Sequence, residues 1–180
     1  MPPILNFVSA VRDKYEYRKS EDGSSEAGSY GVIGSEKTGK KQALDVLKCV
    51  YVPDSNIGLA GEPNEISSTC GAIEELDIGG NAFVDWAPVL TIASQLKHLH
   101  WLGLDRMQLA PLSEVPPSFT VFGGLHTLCL SGTGMAWDQF LLLSSAMPLL
   151  EEVCSWPLLT RQLILLWAVL SATLTAHRLS

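Results

Sequence analysis

The chain has 180 residues, 47% of them hydrophobic and 17% charged, with a formal net charge of −7. That composition supplies a core for one ordinary domain and excludes wholesale disorder. Seven of the twelve basic residues precede position 42, so the remainder carries about −8; this is a poor surface for gathering phosphates, and no nucleic-acid partner is expected.

Residues 1–17 are expected to form an amphipathic N-terminal helix, because Leu5, Val8, Val11 and Tyr15 fall at helical spacing. Such a helix would cap the open edge of whatever follows. The opening apolar run is too short, and turns charged too soon, for a secretory leader. The four cysteines, Cys49, Cys70, Cys129 and Cys154, make no C-x-x-C pair, which fits free thiols in a reducing cytoplasm.

Residues 18–43, rich in Ser, Gly, Glu and Lys, read as a flexible polar linker. Inside it, Gly34 to Lys41 follows G-x-x-x-x-G-K and then departs from a phosphate-binding loop. Lys41 stands where a Ser or Thr would hold magnesium, and no long buried strand leads into the loop. A nucleotide-using enzyme is not expected, and no cofactor is called for.

From residue 44 the chain repeats. Four segments follow L-x-x-L-x-L-x-x-N-x-L with apolar swaps, starting at Leu47, Ile73, Leu99 and Leu125, a spacing of 26 each time. That period lies in the 20–29 residue range of leucine-rich repeats. In each copy two alternating apolar residues make a short strand with one inward face: Val50 and Val52, Leu76 and Ile78, Leu102 and Leu104, Leu128 and Leu130. No single copy can bury that face, so copies must stack and share a continuous core. The expected fold is α/β: a short leucine-rich-repeat solenoid over residues 44–153, with a parallel β-sheet on the concave face and short helices on the convex face.

Asn81 alone keeps the consensus asparagine; Ser55, Met107 and Thr133 replace it, and Met107 predicts an irregular third turn. Residues 65–70, 89–96 and 140–147 read as one or two helical turns each. Trp86 and Trp137 are expected at the entry to the convex-side helix, as wedges between strand and helix layers, and Asp85 suits a helix N-cap. A fifth copy starts at Leu150-Glu-Glu-Val153 and is expected to fail at Ser155. Residues 154–180 form a divergent hydrophobic tail whose charge-free stretch, 163–176, is only 14 residues, short for a membrane span and closer to an end-cap.

Stacked strands display their outward residues as ladders. Here those ladders gather Glu75, Asp77 and Asp105 around Tyr51 and Trp101, and these five are the expected partner-binding residues of the concave face. An exposed aromatic anchor ringed by polar groups is a common hot-spot composition. His100 and His126 occupy equivalent repeat positions near His98, but spacing specifies no further metal ligand, so they read as surface histidines without a metal. No nucleophile elbow or Ser-His-Asp constellation appears, so no catalytic residue is named.

Beyond the repeat positions, the residues Ala60-Gly61-Glu62, Ile66, Cys70, Ile73, Leu76-Asp77, Asn81, Trp86, Ile92-Ala93 and Gln95-Leu96 resemble the tubulin-specific chaperone E family. So do FVSAVRDKYEY at 7–17 and LHTLCLSGTGMAWDQF at 125–140; the likeness covers roughly residues 5–153, in the family's linker and repeat region. An E-like relative is the nearest alternative. The resemblance implies a cytoplasmic, cytoskeleton-associated module binding α-tubulin, with other tubulin-folding cofactors, in dimer assembly and disassembly. In the family the repeats lie between a glycine-rich cytoskeleton-associated domain and a ubiquitin-like domain. Neither has a counterpart in this sequence, which suits a fragment or truncated isoform. The alternatives are a general repeat adaptor for an unrelated protein, or an inactive truncated product.

Overall fold

The computed structural model describes residues 3–16, 43–115 and 117–154. Most of the expected linker, including Gly34 to Lys41, and the tail from Ser155 onward lie outside the described residues.

Each repeat supplies one three-residue strand: β2 (Cys49–Tyr51), β4 (Glu75–Asp77), β5 (Trp101–Gly103), β6 (Thr127–Cys129) and β7 (Glu152–Cys154), numbered after a short β1 (Leu5–Asn6) and with β3 (Ile57–Leu59) inside the first repeat. The five repeat strands form one parallel sheet in the order β2-β4-β5-β6-β7. The register is unbroken: Val50 faces Leu76, Leu76 faces Leu102, Leu102 faces Leu128, and Leu128 faces Val153. Val50, Leu76, Leu102 and Leu128 are all buried in one continuous core. The chain is a leucine-rich-repeat solenoid, because strands this short bury their apolar face only against the next copy and the elements behind them.

Between strands run α2 (Glu65–Cys70), α3 (Trp86–Ser94) and α4 (Trp137–Ser144), while the third copy has a 3₁₀ helix over Pro117–Phe122. The second and third of these α-helices each open on the tryptophan expected at the helix entry, three residues ahead of the apolar stretches 89–96 and 140–147. Asp85 caps α3 by accepting from the Ala87 amide at 2.9 Å. Trp86 is buried, donates through Nε1 to the Ala110 carbonyl, and lies 5.4 Å from the Phe119 ring.

The expectation for the third turn needs correction. The third turn is not irregular in its backbone. Asp54, Gly80, Arg106 and Gly132, one per copy and 26 residues apart, are all left-handed, with φ of 52°, 65°, 59° and 73°. Each turn is bonded to the next: Asp54 N donates to Gly79 O, Gly80 N to Asp105 O, and Arg106 N to Ser131 O, all within 2.9 Å. These backbone bonds set the turn without an asparagine, and Met107 turns into the core. The irregularity comes afterwards, in the helix-free stretch 107–115 and the 3₁₀ helix beyond it.

The fifth copy begins as expected, and Ser155, where the pattern is expected to fail, lies outside the described residues. Its strand forms before Ser155 is reached, held by Leu130 N donating to Cys154 O and by Glu151 N and Glu152 N donating to His126 O.

At the opposite edge, α1 (Phe7–Tyr15) packs Phe7, Val8, Ala10 and Val11 into the core, started by Asn6, whose side chain accepts from Ser9 N at 2.7 Å. Leu5, read as helical from its spacing, instead pairs β1 in parallel with β3. The end of α1 meets the free edge of β2. Tyr51 N donates to Tyr15 Oη at 2.9 Å, and Lys14 Nζ donates to Tyr51 O. Side chains thus occupy backbone groups that would otherwise invite another strand.

Candidate functional site

The outward positions of the sheet form two rows. One is Cys49, Glu75, Trp101, Thr127 and Glu152; the other is Tyr51, Asp77, Gly103, Cys129 and Cys154. The five residues singled out in the sequence come together at the β2–β5 end of these rows, with Asp105 one step beyond Gly103.

Their geometry separates them into two kinds. Tyr51 donates through its hydroxyl to Glu75 Oε2 at 2.7 Å, and its ring stands edge-on to Trp101 with centroids 6.3 Å apart. The Glu75 carboxylate, aided by partial burial, holds the Tyr51 phenol above its ordinary range. Trp101 lies across Gly103: a Cβ placed on that glycine would come within 2.9 Å of the indole and 3.0 Å of Asp77 Oδ1. A glycine is required there if the indole is to lie down on the sheet. Tyr51, Glu75 and Trp101 therefore present a preset aromatic–acid surface.

Asp77 and Asp105 do something else. Asp77 Oδ1 accepts from Gly79 N at 2.9 Å, and Asp105 Oδ1 accepts from Ser131 N at 2.6 Å. Asp77 helps hold the turn that follows its own strand and Asp105 the equivalent turn of the next copy, and both add negative potential to the face. Neither row contains a lysine or arginine, while Glu75, Asp77 and Glu152 are acidic. Glu152 was missed as a face residue, although Leu150-Glu-Glu-Val153 carried the signal, because the outward ladders were read over four copies only.

Behind the face, Asn81 is buried and fully employed. It accepts from Ser55 N and Ile57 N at 3.0 Å, and donates to Val52 O and Ile78 O at 2.8 Å. It ties the first two copies together. On the same strand ends Arg106 reaches over Gly80 to Asp54 at 2.7 Å, a surface ion pair spanning copies one to three.

Away from the face, the missing third helix leaves a cleft of about 250 Å³ between residues 107–112 and the start of α4, lined by Met107, Leu109, Leu112 and Met135. Gln139 bridges it, accepting from Leu112 N and donating to Leu112 O. His100 and His126 are lateral neighbours with ring centroids 6.3 Å apart, yet half-buried where exposed histidines were expected; His126 Nδ1 is buried without a partner. Among the described residues no group of three or more His, Cys, Asp or Glu side chains is placed to hold a metal ion. Among them also, no helix is long and apolar enough to cross a membrane.

No family model matches the chain. Curated relatives do. Tubulin-specific chaperone E of Xenopus laevis is 32% identical over 152 residues, covering 83% of this chain and 29% of the relative. The Bos taurus protein of the same name is 30% identical over 157 residues, covering 83% and 30%. The tubulin-specific chaperone cofactor E-like protein of Rattus norvegicus is 26% identical over 113 residues, covering 63% and 27%. Among solved structures, a leucine-rich-repeat protein of Leptospira interrogans aligns over 54% of this chain and 29% of its own, at 18% identity and a TM-score of 0.35. The chain spans less than a third of the length of the curated relatives it matches. By sequence it is a relative of the tubulin-specific chaperone E family, sharing with those proteins a stretch that takes in most of its own length.

Proposed function

We propose that this chain is a tubulin-binding repeat module, acting by protein contact and not by catalysis, and that the β2–β5 end of its sheet carries the contact. The observation behind the reading is the preset Tyr51–Glu75–Trp101 cluster on a solenoid related to tubulin-specific chaperone E. Within tubulin folding and dimer assembly or disassembly, α-tubulin is the proposed partner, alongside other tubulin-folding cofactors, in a cytoplasmic, cytoskeleton-associated setting. The aromatic pair supplies desolvated contact area, and the surrounding carboxylates select an electropositive or hydrogen-bond-donating segment of the partner.

The test is saturable binding of purified tubulin to the full chain, read by biolayer interferometry. Trp101→Ala should weaken it by roughly tenfold or more, as truncating a central aromatic anchor does. Glu75→Lys should weaken it as well. Neither change touches the buried ladder, so circular dichroism should stay that of the parent. Asp77 and Asp105 are poor probes, because reversing them would also break the turns they hold. Wild-type affinity in Trp101→Ala, or no saturable binding of tubulin at all, would overturn the proposal; a different protein bound through the same residues would favour the general adaptor.

A further inference from the structure

Cys129 and Cys154 stand directly opposite one another on β6 and β7, in the row that also carries Tyr51, Asp77 and Gly103. Neighbouring strands lie about 4.8 Å apart, inside the roughly 4.4–6.8 Å of Cα separation that a disulfide bridges. Residues paired in register on parallel strands send their side chains to the same face, so both sulfurs leave the sheet in the same direction. They differ in access: Cys154 is exposed and Cys129 is buried. Burial first, and then the hydrogen-bonded sulfur of Cys154, raise the Cys129 thiol above its ordinary range and keep it protonated. The other two cysteines are placed elsewhere. Cys49 belongs to the other row on β2, with β4 and β5 intervening, and Cys70 is buried at the end of α2.

We propose that Cys129 and Cys154 form an inter-strand dithiol site that reacts with small dialkyl disulfides such as glutathione disulfide and closes to a disulfide tying the fifth strand to the fourth. The exposed Cys154 reacts first. Its thiolate attacks one sulfur of glutathione disulfide, forming a mixed disulfide and expelling one glutathione thiolate. Cys129 then gives up its proton and attacks the Cys154 sulfur, and the second glutathione thiolate leaves. The two thiolates take up the two protons lost by the protein. Two protein thiols are oxidised and one small disulfide is reduced to two thiols. The second step is the slower one, because Cys129 is rarely ionised and the rate of exchange depends on the thiolate fraction.

In the full chain, incubated with glutathione disulfide and then alkylated, Cys129 and Cys154 should both lose their free thiols, while the exposed Cys49 carries at most a single glutathione. Peptide mapping should give a single Cys129–Cys154 link, reversed by reductant. Cys129→Ser should stop at glutathionylated Cys154, and Cys154→Ser should leave Cys129 unmodified. A second measurement needs no variant: one equivalent of phenylarsine oxide, which requires two converging thiols, should protect Cys129 and Cys154 together from alkylation. Failure of the wild-type chain to react, links through Cys49 or Cys70 or between chains, or two separate mixed disulfides at Cys129 and Cys154 would each overturn the proposal, as would arsenical protection of neither residue.

Discussion

The second and third copies of the repeat begin alike and are completed by different physics. Copy two keeps the consensus asparagine, and Asn81 satisfies four backbone groups of its own and the preceding turn. It then builds α3, with an acid at the N-cap. Copy three puts Met107 in the same place, fully inside, and follows it with a helix-free stretch and a 3₁₀ helix whose Phe119 and Phe122 fill the layer that α3 fills next door. Pro111, Pro116 and Pro117 crowd this segment, and proline is poorly tolerated inside a helix. Yet the strands on either side stay in register and the turn keeps its left-handed residue. The stacking of copies therefore depends on the backbone ladder and the shared apolar seam; the asparagine is one of two ways to finish the turn behind them.

The sharpest way to break that comparison is Asn81→Ala. It strands one buried and one part-buried amide and two carbonyls between copies one and two. A loss of roughly 4 kcal/mol is expected, because buried polar groups left unpaired cost about 1–3 kcal/mol each and some of these will find water. Urea unfolding would measure it; a midpoint near the parent's would mean copy two needs its asparagine no more than copy three does.

Met107→Ala should come next, at about 3 kcal/mol, the ordinary cost of emptying a buried methionine site beside a cleft that already exists. Met107→Leu should cost less than about 1.5 kcal/mol, since volume is kept and no hydrogen bond is involved. If leucine proved as damaging as alanine, Met107 would be serving something other than bulk.

The smallest effect should be that of Asp85→Ala, about 1 kcal/mol for a lost N-cap. Amide exchange should rise at the start of α3 and stay unchanged across the Pro117–Phe122 segment. Spread of the exchange change into the third copy would mean that the two convex segments unfold as one.

Much of this was legible beforehand. Constant spacing of 26 fixed which residues face inward, because a buried seam admits one register only. Thus Val50, Leu76, Leu102 and Leu128 line up as their positions require. The outward ladders follow from alternation, which puts Tyr51, Glu75 and Trp101 on one surface. Helix starts were legible from the tryptophans and not from apolar periodicity: Trp86 and Trp137, expected at the helix entries, are the first residues of α3 and α4, since periodicity marks the face of a helix and not its cap. The N-terminal segment showed a mixed signal. Its spacing predicted a helix from Leu5, and pairing with Ile57–Leu59 took Leu5 and Asn6 into a strand instead.

The sequence by itself determined the period, the inward seam and the composition of the face, because those depend on side-chain type and alternation alone. Only the tertiary structure decided how the face residues are used. Whether Asp77 and Asp105 point to a partner or hold a turn, whether Trp101 stands up or lies down over Gly103, and whether a fifth strand joins before the pattern breaks all depend on which backbone groups adjacent copies bring within hydrogen-bond reach. That reach exists only once the copies are stacked.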